Sequence, residues 1–266
     1  HDLMVRTYPQ ALPLKARVYS RFMTPLCVAA ADRIITVSRF NEREILRYYP
    51  RASGKITVIP NGIHLAFAPR HDPEHLRRIR EREKIPARYF LYVGSLRKYK
   101  NLHRLLKAFS LLPGALRTTV SLVVAARVEP QFSGILQAAR DLGLHEEVRF
   151  VGHLPPEELA PLYSGAIAFI TVSLYESFCY PAVEAMACGT PVIAPDRLAL
   201  PEITQGAALL VNPLDPTAIR EAMERLADDE AMRQRLIEDG LRRARDFTCQ
   251  AMAEQVAKAH HEVLSR

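Results

Sequence analysis

The sequence predicts an α/β protein with parallel sheets: one doubly wound lobe that is complete, preceded by the end of a second. Three observations carry this. From Tyr89 onward, short apolar β-rich runs alternate with stretches of helical period, the pattern of βαβ units around a parallel sheet. Those runs are continuously apolar rather than alternating, as strands covered on both faces are. Before Tyr89 only two such runs occur, too few for a sheet that stands unaided.

The strands of the complete, Rossmann-like lobe fall at residues 89–93, 120–125, 148–151, 167–172, 191–194 and 208–211. Residues 102–110 read as a helix because Leu102, Leu105, Leu106 and Phe109 recur at helical spacing. Residues 132–142 form another, closed by Gly143 in a C-cap position. Asp215-Pro216 supplies the N-cap and N1 of a third. The Arg/Glu-rich stretch 73–83 and the helices after Asp229 carry charge on most faces and read as solvated. Upstream the pattern gives a helix over 14–31, a strand at 34–37, a helix at 41–48, and a strand at 56–59 ended by Pro60-Asn61-Gly62. The expected organisation is therefore residues 1–62 as the end of an N-terminal lobe and 63–70 as linker. Residues 71–245 make the complete lobe, and 246–266 a helix returning toward the first. On this reading the chain opens part-way through its first lobe.

A chain of 266 residues, 48% hydrophobic and 24% charged, has the balance of a folded globular protein, not of a disordered one. It lacks an apolar run of the roughly 18 residues a membrane-spanning helix needs, and a signal peptide at its start, so a cytoplasmic location is expected. Cys27, Cys179, Cys188 and Cys249 show no C-x-x-C spacing, which argues against a zinc site or a redox dithiol. No metal is expected. A formal charge of +7 favours polyanions: nucleic acid, an anionic membrane face or phosphorylated small molecules. Nucleic acid is set aside because no helix-turn-helix, zinc finger or aromatic-studded basic sheet accompanies the charge. Lys15, Arg17, Arg21 and Arg33 beside Leu14, Val18 and Phe22 fit either a peripheral helix on anionic lipid at the inner membrane face or a plain amphipathic core helix.

The chemistry concentrates in residues 175–192, YESFCYPAVEAMACGTPV, at the carboxyl end of a predicted strand. Open α/β sheets bind ligands there. Glu176 falls in the loop, and Glu184 just inside the helix that Tyr180-Pro181 opens. The N–H groups around residues 178–182 form the positive end of that helix, a site for phosphate or hydroxyl oxygens. Two carboxylates beside such an end suit a polyhydroxylated, phosphorylated ligand. Alternatively, Glu176 is a surface loop residue and Glu184 merely complements the helix dipole.

Glu176 and Glu184 with seven residues between them, followed by Ala-Met-Ala-Cys-Gly-Thr-Pro-Val, resemble the E-x7-E signature of glycosyltransferase family 4, retaining enzymes of the GT-B fold. Further stretches fall in the family's order: Ala31-Asp32-Arg33-Ile34-Ile35-Thr36-Val37-Ser38, Val58-Ile59-Pro60-Asn61-Gly62, Tyr92-Val93-Gly94 with Lys100-Asn101, Phe150-Val151-Gly152 and Leu200-Pro201-Glu202. The resemblance implies that Glu184 binds the donor's ribose hydroxyls and Glu176 faces the transferred sugar. It gives the backbone of Ser177, Phe178, Cys179 and Tyr180 to sugar hydroxyls and phosphate. Gly94 and Ser95 admit the diphosphate, and Lys100, with Arg97 a second cation, neutralises the leaving nucleotide without a metal or other cofactor. Gly152, His153 and Leu154 resemble the loop that reads the nucleobase, and His1-Asp2 the pair whose histidine approaches the reacting sugar.

Departures are visible too. Ser177 and Cys179 stand where many members have glycine, and Cys179 is expected to narrow the sugar pocket or alter donor choice. Tyr99 replaces a common arginine. The resemblance implies a hexosyltransferase of the kind that builds cell-envelope polysaccharide. Its donor would be a UDP-, GDP- or dTDP-sugar and its acceptor a glycan or lipid-linked sugar. A non-catalytic nucleotide-sugar binding module is the alternative. Lacking the opening strands of its first lobe, the chain itself is expected to bind donor without transferring sugar.

Overall fold

The computed structural model describes residues 1–69, 72–128 and 132–265, which form two parallel sheets. The first unit runs through α1 (Met4–Thr7), α2 (Leu14–Ala30), β1 (Ile34–Thr36), α3 (Arg39–Tyr48) and β2 (Ile56–Val58). Its two strands pair in parallel, Ile34 opposite Ile56 and Thr36 opposite Val58. A small core of Leu3, Ile45 and Ala52, flanked by Val28, Ile34 and Ile56, fills the space beside them.

The second unit begins with α4 (Pro73–Glu83), β3 (Tyr89–Val93), α5 (Leu102–Ser110), α6 (Gly114–Arg117) and β4 (Ser121–Ala125). It continues with α7 (Ser133–Asp141), β5 (Val148–Phe150), α8 (Pro156–Ser164), β6 (Ala168–Ile170), α9 (Tyr180–Ala187) and β7 (Val192–Pro195). It ends with α10 (Leu200–Thr204), β8 (Leu209–Val211), α11 (Pro216–Asp228) and α12 (Glu230–Ala244). Its sheet has the order β5-β4-β3-β6-β7-β8, with every pair parallel. Because side chains alternate along a strand, each strand feeds two cores. Tyr89 and Leu91 join Leu162 of α8 and Met186 of α9 on one face. Phe90 and Tyr92 join Leu105 of α5 and Met223 of α11 on the other. Continuous apolar strands are therefore what this sheet requires. Helix starts are capped by short polar side chains, Asp72, Asp215 and Asp229 accepting from His75, Thr217 and Met232 N–H. Gly143, at φ +68°, closes α7 as its position suggested.

α13 (Cys249–Leu264) returns to the first unit, where Glu262 pairs with Arg33 at 3.0 Å. The chain crosses itself where it leaves the first unit. Ile63 N–H donates to Phe247 O at 2.9 Å, and the Cys249 thiol donates to Ile63 O at 3.2 Å. A second clasp joins the units at α3. Ser38 Oγ accepts from Asn41 N–H, and the Glu202 carboxylate, on α10, accepts from Arg39 and Phe40 N–H at 2.6 and 2.9 Å. Three first-turn amides that a helix start leaves without partners are thus satisfied, two of them from the other unit.

α2 lies at the surface of the described residues. This helix buries no residue, and Leu14, Val18, Tyr19, Phe22 and Leu26 are all exposed. Among the described residues no helix is long and apolar enough to cross a membrane.

The crossing at Gly62 offers a direct check on the packing between units. A Cβ there would sit 2.5 Å from both the Cα and the N of Cys249, backbone atoms that have no rotamer to escape into. Gly62→Ala should cost about 1–3 kcal/mol, seen as a lower Tm by circular dichroism. An unchanged Tm would mean that the crossing has slack.

Candidate active site

In the large sheet the strand order reverses between β3 and β6, since β4 continues on one side and β7 on the other. The loops leaving these two strands diverge at their carboxyl ends, and the crevice between them is where such sheets take ligands. After β3 come Gly94, at φ +152°, then Ser95 and a helical turn over Lys98–Lys100. Asn101 follows in the left-handed region at φ +63°. Its amide Nδ2 donates to Val172 O at 2.9 Å and to Pro213 O at 2.7 Å, which ties the β3 loop to the chain beyond β6 and beyond β8. Leu174 N–H donates to Tyr99 O at 2.7 Å. These bonds lace the two crevice loops together.

Across that lacing Lys100 Nζ meets Glu176 Oε1 at 2.6 Å, with side chains 17% and 11% exposed. Burial opposes the charge on Lys100, but the Glu176 carboxylate outweighs it and holds the ammonium above its usual range. Lys100 is therefore a fixed cation in the crevice. Arg97 is not brought to it and stands exposed on the surface.

Glu176 leads into the start of α9. Cys179 sits at φ +80°, a left-handed backbone that favours glycine, which accounts for glycine being the expected residue. Its side chain is 6% exposed and belongs to the core beside Ala182. Burial, with Glu176 adding to it, pushes the thiol up to about 12, so it is neutral. The thiol is buried and lies within electrostatic reach of both Lys100 and Glu176. Phe178 also packs inward, its ring 5.6 Å from that of Phe247. No described hydrogen bond takes up the backbone amides of Ser177, Phe178, Cys179 or Tyr180, and the positive end of α9 adds to them. Tyr180 itself is exposed beside Phe178.

Within α9, Glu184 Oε2 accepts from the hydroxyl of Tyr163 at 3.0 Å. Tyr163 is fully buried, edge-on to Phe67 and Phe169. Burial pushes the Glu184 carboxyl up to about 7, with the Tyr163 hydrogen bond acting in the opposite direction. Glu184 thus changes charge near neutrality. At the end of β5, Gly152 (φ +74°) has open space around it, His153 is exposed and Leu154 points into the core.

The first unit leans on both crevice loops. Leu3 N–H donates to the Tyr175 hydroxyl at 3.1 Å, and the rings of Tyr8 and Tyr99 meet edge-on at 6.5 Å. His1 is exposed close by, its carbonyl accepting from Asn41 Nδ2 at 3.1 Å. Sequence reasoning missed Tyr163 and Tyr175. Their bonds span 21 and 172 positions of chain, and no local pattern marks either. Among the described residues no three His, Cys, Asp or Glu side chains gather as a metal site.

Comparison with known proteins gives the family and the fold. The profile of the family described as Glycosyl transferases group 1 matches residues 77–243, and that of Glycosyltransferase Family 4 matches residues 1–67. The chain is 29% identical over 261 residues to O-antigen chain mannosyltransferase B of Escherichia coli, covering 98% of this chain and 68% of that protein. It is 31% identical over 226 residues to the O-antigen chain mannosyltransferase RfbU of Salmonella typhimurium, covering 85% of this chain and 59% of that one. Among solved structures, sucrose-phosphate synthase from Thermosynechococcus elongatus superposes with a TM-score of 0.83 at 28% identity, covering 98% of this chain and 65% of that one. HepE of Anabaena, solved with UDP and glucose, gives a TM-score of 0.84 at 18% identity and covers 98% of this chain and 70% of that one, a likeness of fold. With a family profile spanning most of it and the GT-B fold of its structural neighbours, the chain belongs to the Glycosyl transferases group 1 family.

Proposed function

We propose that the crevice binds a nucleotide-diphosphate hexose and that the protein transfers the sugar, with retention, to a glycan or lipid-linked acceptor in cell-surface polysaccharide synthesis. The observation that carries the reading is the Lys100–Glu176 pair at the β3/β6 reversal, beside the unoccupied amides at the start of α9. A diphosphate needs a fixed cation and N–H donors near one another, and the contact of Lys100 with Glu176, directly ahead of those amides in the chain, supports that reading. Lys100 and the α9 amides would take the negative charge that grows on the departing nucleotide, a stabilisation strongest in the transition state. The O-antigen mannosyltransferase relatives favour a mannose donor and a polysaccharide product. In this reading Glu176 faces the sugar, Glu184 the ribose and the Gly152–Leu154 turn the base. Arg97 and His1 would join only if donor or acceptor binding draws them inward. Titration with UDP-, GDP- and dTDP-sugars tests the whole proposal, and binding of none of them would end it. Because Lys100 supplies the cation, EDTA should leave donor affinity unchanged.

Lys100→Ala should weaken nucleoside diphosphates far more than the matching nucleoside, and the gap should shrink as salt rises, because the lost contact is coulombic. Equal losses for both ligands, measured by calorimetry, would remove Lys100 from the diphosphate.

Glu184 gives a pH signature. Ribose hydroxyls donate to the ionised carboxylate, whereas the empty site holds a carboxyl whose pKa is about 7. Binding below neutrality must therefore expel a proton. Affinity for the nucleotide-sugar should rise as pH is raised toward 7 and level off above it. Glu184→Gln should flatten that profile and cost roughly 1.5–3 kcal/mol of binding at high pH. A wild-type profile that is already flat would contradict the ribose assignment.

For Glu176, the longer protein is the right test. Glu176→Gln should cut turnover while nucleotide affinity changes little, because its partner is the sugar. Donor binding with no turnover even in the unsubstituted longer protein would favour the binding-module alternative.

A further inference from the structure

We propose that Tyr163 is a positioning residue for the nucleotide: its hydroxyl holds one oxygen of Glu184 and leaves the other for the donor's ribose, an inference that rests on the ribose reading of Glu184. A long acidic side chain presents fixed acceptor sites only when something anchors it. Glu184 is anchored from the neighbouring helix. The Tyr163 hydroxyl donates to its Oε2 at 3.0 Å, and no described bond takes its Oε1. The anchor is itself held from several sides. Tyr163 is fully buried on α8, its ring edge-on to Phe67 at 6.0 Å and to Phe169 of β6 at 5.7 Å. Its carbonyl accepts from Thr190 Oγ1, beyond the end of α9, at 2.7 Å. A ring fixed in this way cannot follow a wandering carboxylate, so the carboxylate must come to it. Packing alone does not call for the hydroxyl, since Phe67 and Phe169 fill the same core without one. Tyr89, buried there too, satisfies its hydroxyl on the Leu162 carbonyl at 2.8 Å, whereas Tyr163 reaches a carboxylate.

The bond acts on charge as well as on place. Burial raises the Glu184 pKa to about 7, and the Tyr163 bond opposes that rise. Burial, with Glu184 adding to it, holds the Tyr163 phenol well above its usual range, so it stays a neutral donor while Glu184 titrates. The other ionisable groups around α9 are engaged elsewhere or uncharged. On α8, Glu157 and Glu158 lie in the first turn, away from Tyr163, and Glu158 pairs with Arg82. On α10, Glu202 accepts from Arg39 and Phe40 N–H. α12 meets α9 and Gly189 through Gly240, Ile237 and Leu241; its Arg242 pairs with Asp239, and Arg243 with Asp246 and the Ile203 carbonyl. β6 and β7 contain no ionisable side chain. Tyr180, faced by Cys249, stands near Glu184, and Cys179 and Cys188 stand near Tyr163. Burial and the Tyr163 hydroxyl are thus what set the charge of Glu184.

Tyr163→Phe removes one oxygen atom and keeps the ring. Loss of a bond that favours the ionised form raises the Glu184 pKa. The midpoint of the pH profile of donor binding should therefore rise by roughly 1–2 pH units, the equivalent of a hydrogen bond to a charged group. At pH 7 affinity should fall roughly 5- to 50-fold by the same conversion, and the loss should shrink as pH is raised. GDP-mannose and UDP-glucose serve as probes, because a diphosphate esterified at both ends does not titrate in this range. The Glu184 carboxyl is followed in parallel by carbon-13 NMR of the free chain, its resonance identified by its absence in Glu184→Gln. Thr190→Val removes the bond to the Tyr163 carbonyl and spares the hydroxyl, so it should lower Tm without moving either midpoint. The proposal is overturned if Tyr163→Phe leaves the NMR midpoint in place, if it lowers affinity equally at every pH, or if Thr190→Val moves the midpoints as far. The two readings fail differently. An unmoved NMR midpoint beside a binding profile that Glu184→Gln flattens removes the positioning role alone. A raised NMR midpoint beside absent or pH-independent donor binding in the unsubstituted chain removes the ribose reading, and the positioning role with it.

Discussion

Everything at the candidate site descends from the reversal of strand order between β3 and β6. Connections between parallel strands are right-handed, so a strand order that reverses must send its helices to opposite faces. α5 covers one face and α9 the other, as the two cores record. Between them the backbone has nothing to pack on, and the loops must find partners in each other. Asn101 and Leu174 provide these in the main chain, and Lys100 with Glu176 in the side chains. A mostly buried charge without a partner is costly by several kcal/mol. Each of these residues therefore answers the other's need, and a ligand rich in phosphate and hydroxyl would divide the pair between its two ends.

The large sheet was legible because parallel strands buried on both faces leave nearly unbroken apolar runs, and helices leave a period of their own. Each of the six expected strand positions holds a strand, shorter at its ends in most cases. α8 was not anticipated. Pro161 inside it breaks the usual helical pattern, although Pro156 at its start and Glu157 and Glu158 in the first turn are favourable signals. Of the candidate site, the loop position of Glu176 and the start of α9 follow from the pattern of strand and helix, whereas Lys100 was singled out by the family resemblance alone. What surrounds Glu184 could not. Its near-neutral pKa depends on burial and on a tyrosine from a neighbouring helix, neither of which has a local trace.

α2 shows the opposite limit. Its amphipathic period is real, but period alone says only that one side is apolar, not that anything lies against it. Whether such a face is core or surface is a tertiary fact. Cys179 is similar at the scale of one residue. The motif marks a position built for glycine, and the sequence shows that glycine is absent. Only the fold shows that the left-handed backbone is kept, with the side chain buried.

Glu202 has a consequence beyond capping. Because the acceptor for Arg39 and Phe40 N–H belongs to the other unit, the end of α3 is complete only while the two units keep their present orientation. Any hinge motion that parts them strips two amides of their acceptor, and loss of an N-cap costs roughly 0.5–2 kcal/mol. With a factor of ten in population for each 1.4 kcal/mol, this one carboxylate favours the juxtaposed posture by about twofold to thirtyfold. It acts as a weak latch, strong enough to set the resting arrangement and weak enough for thermal motion to release.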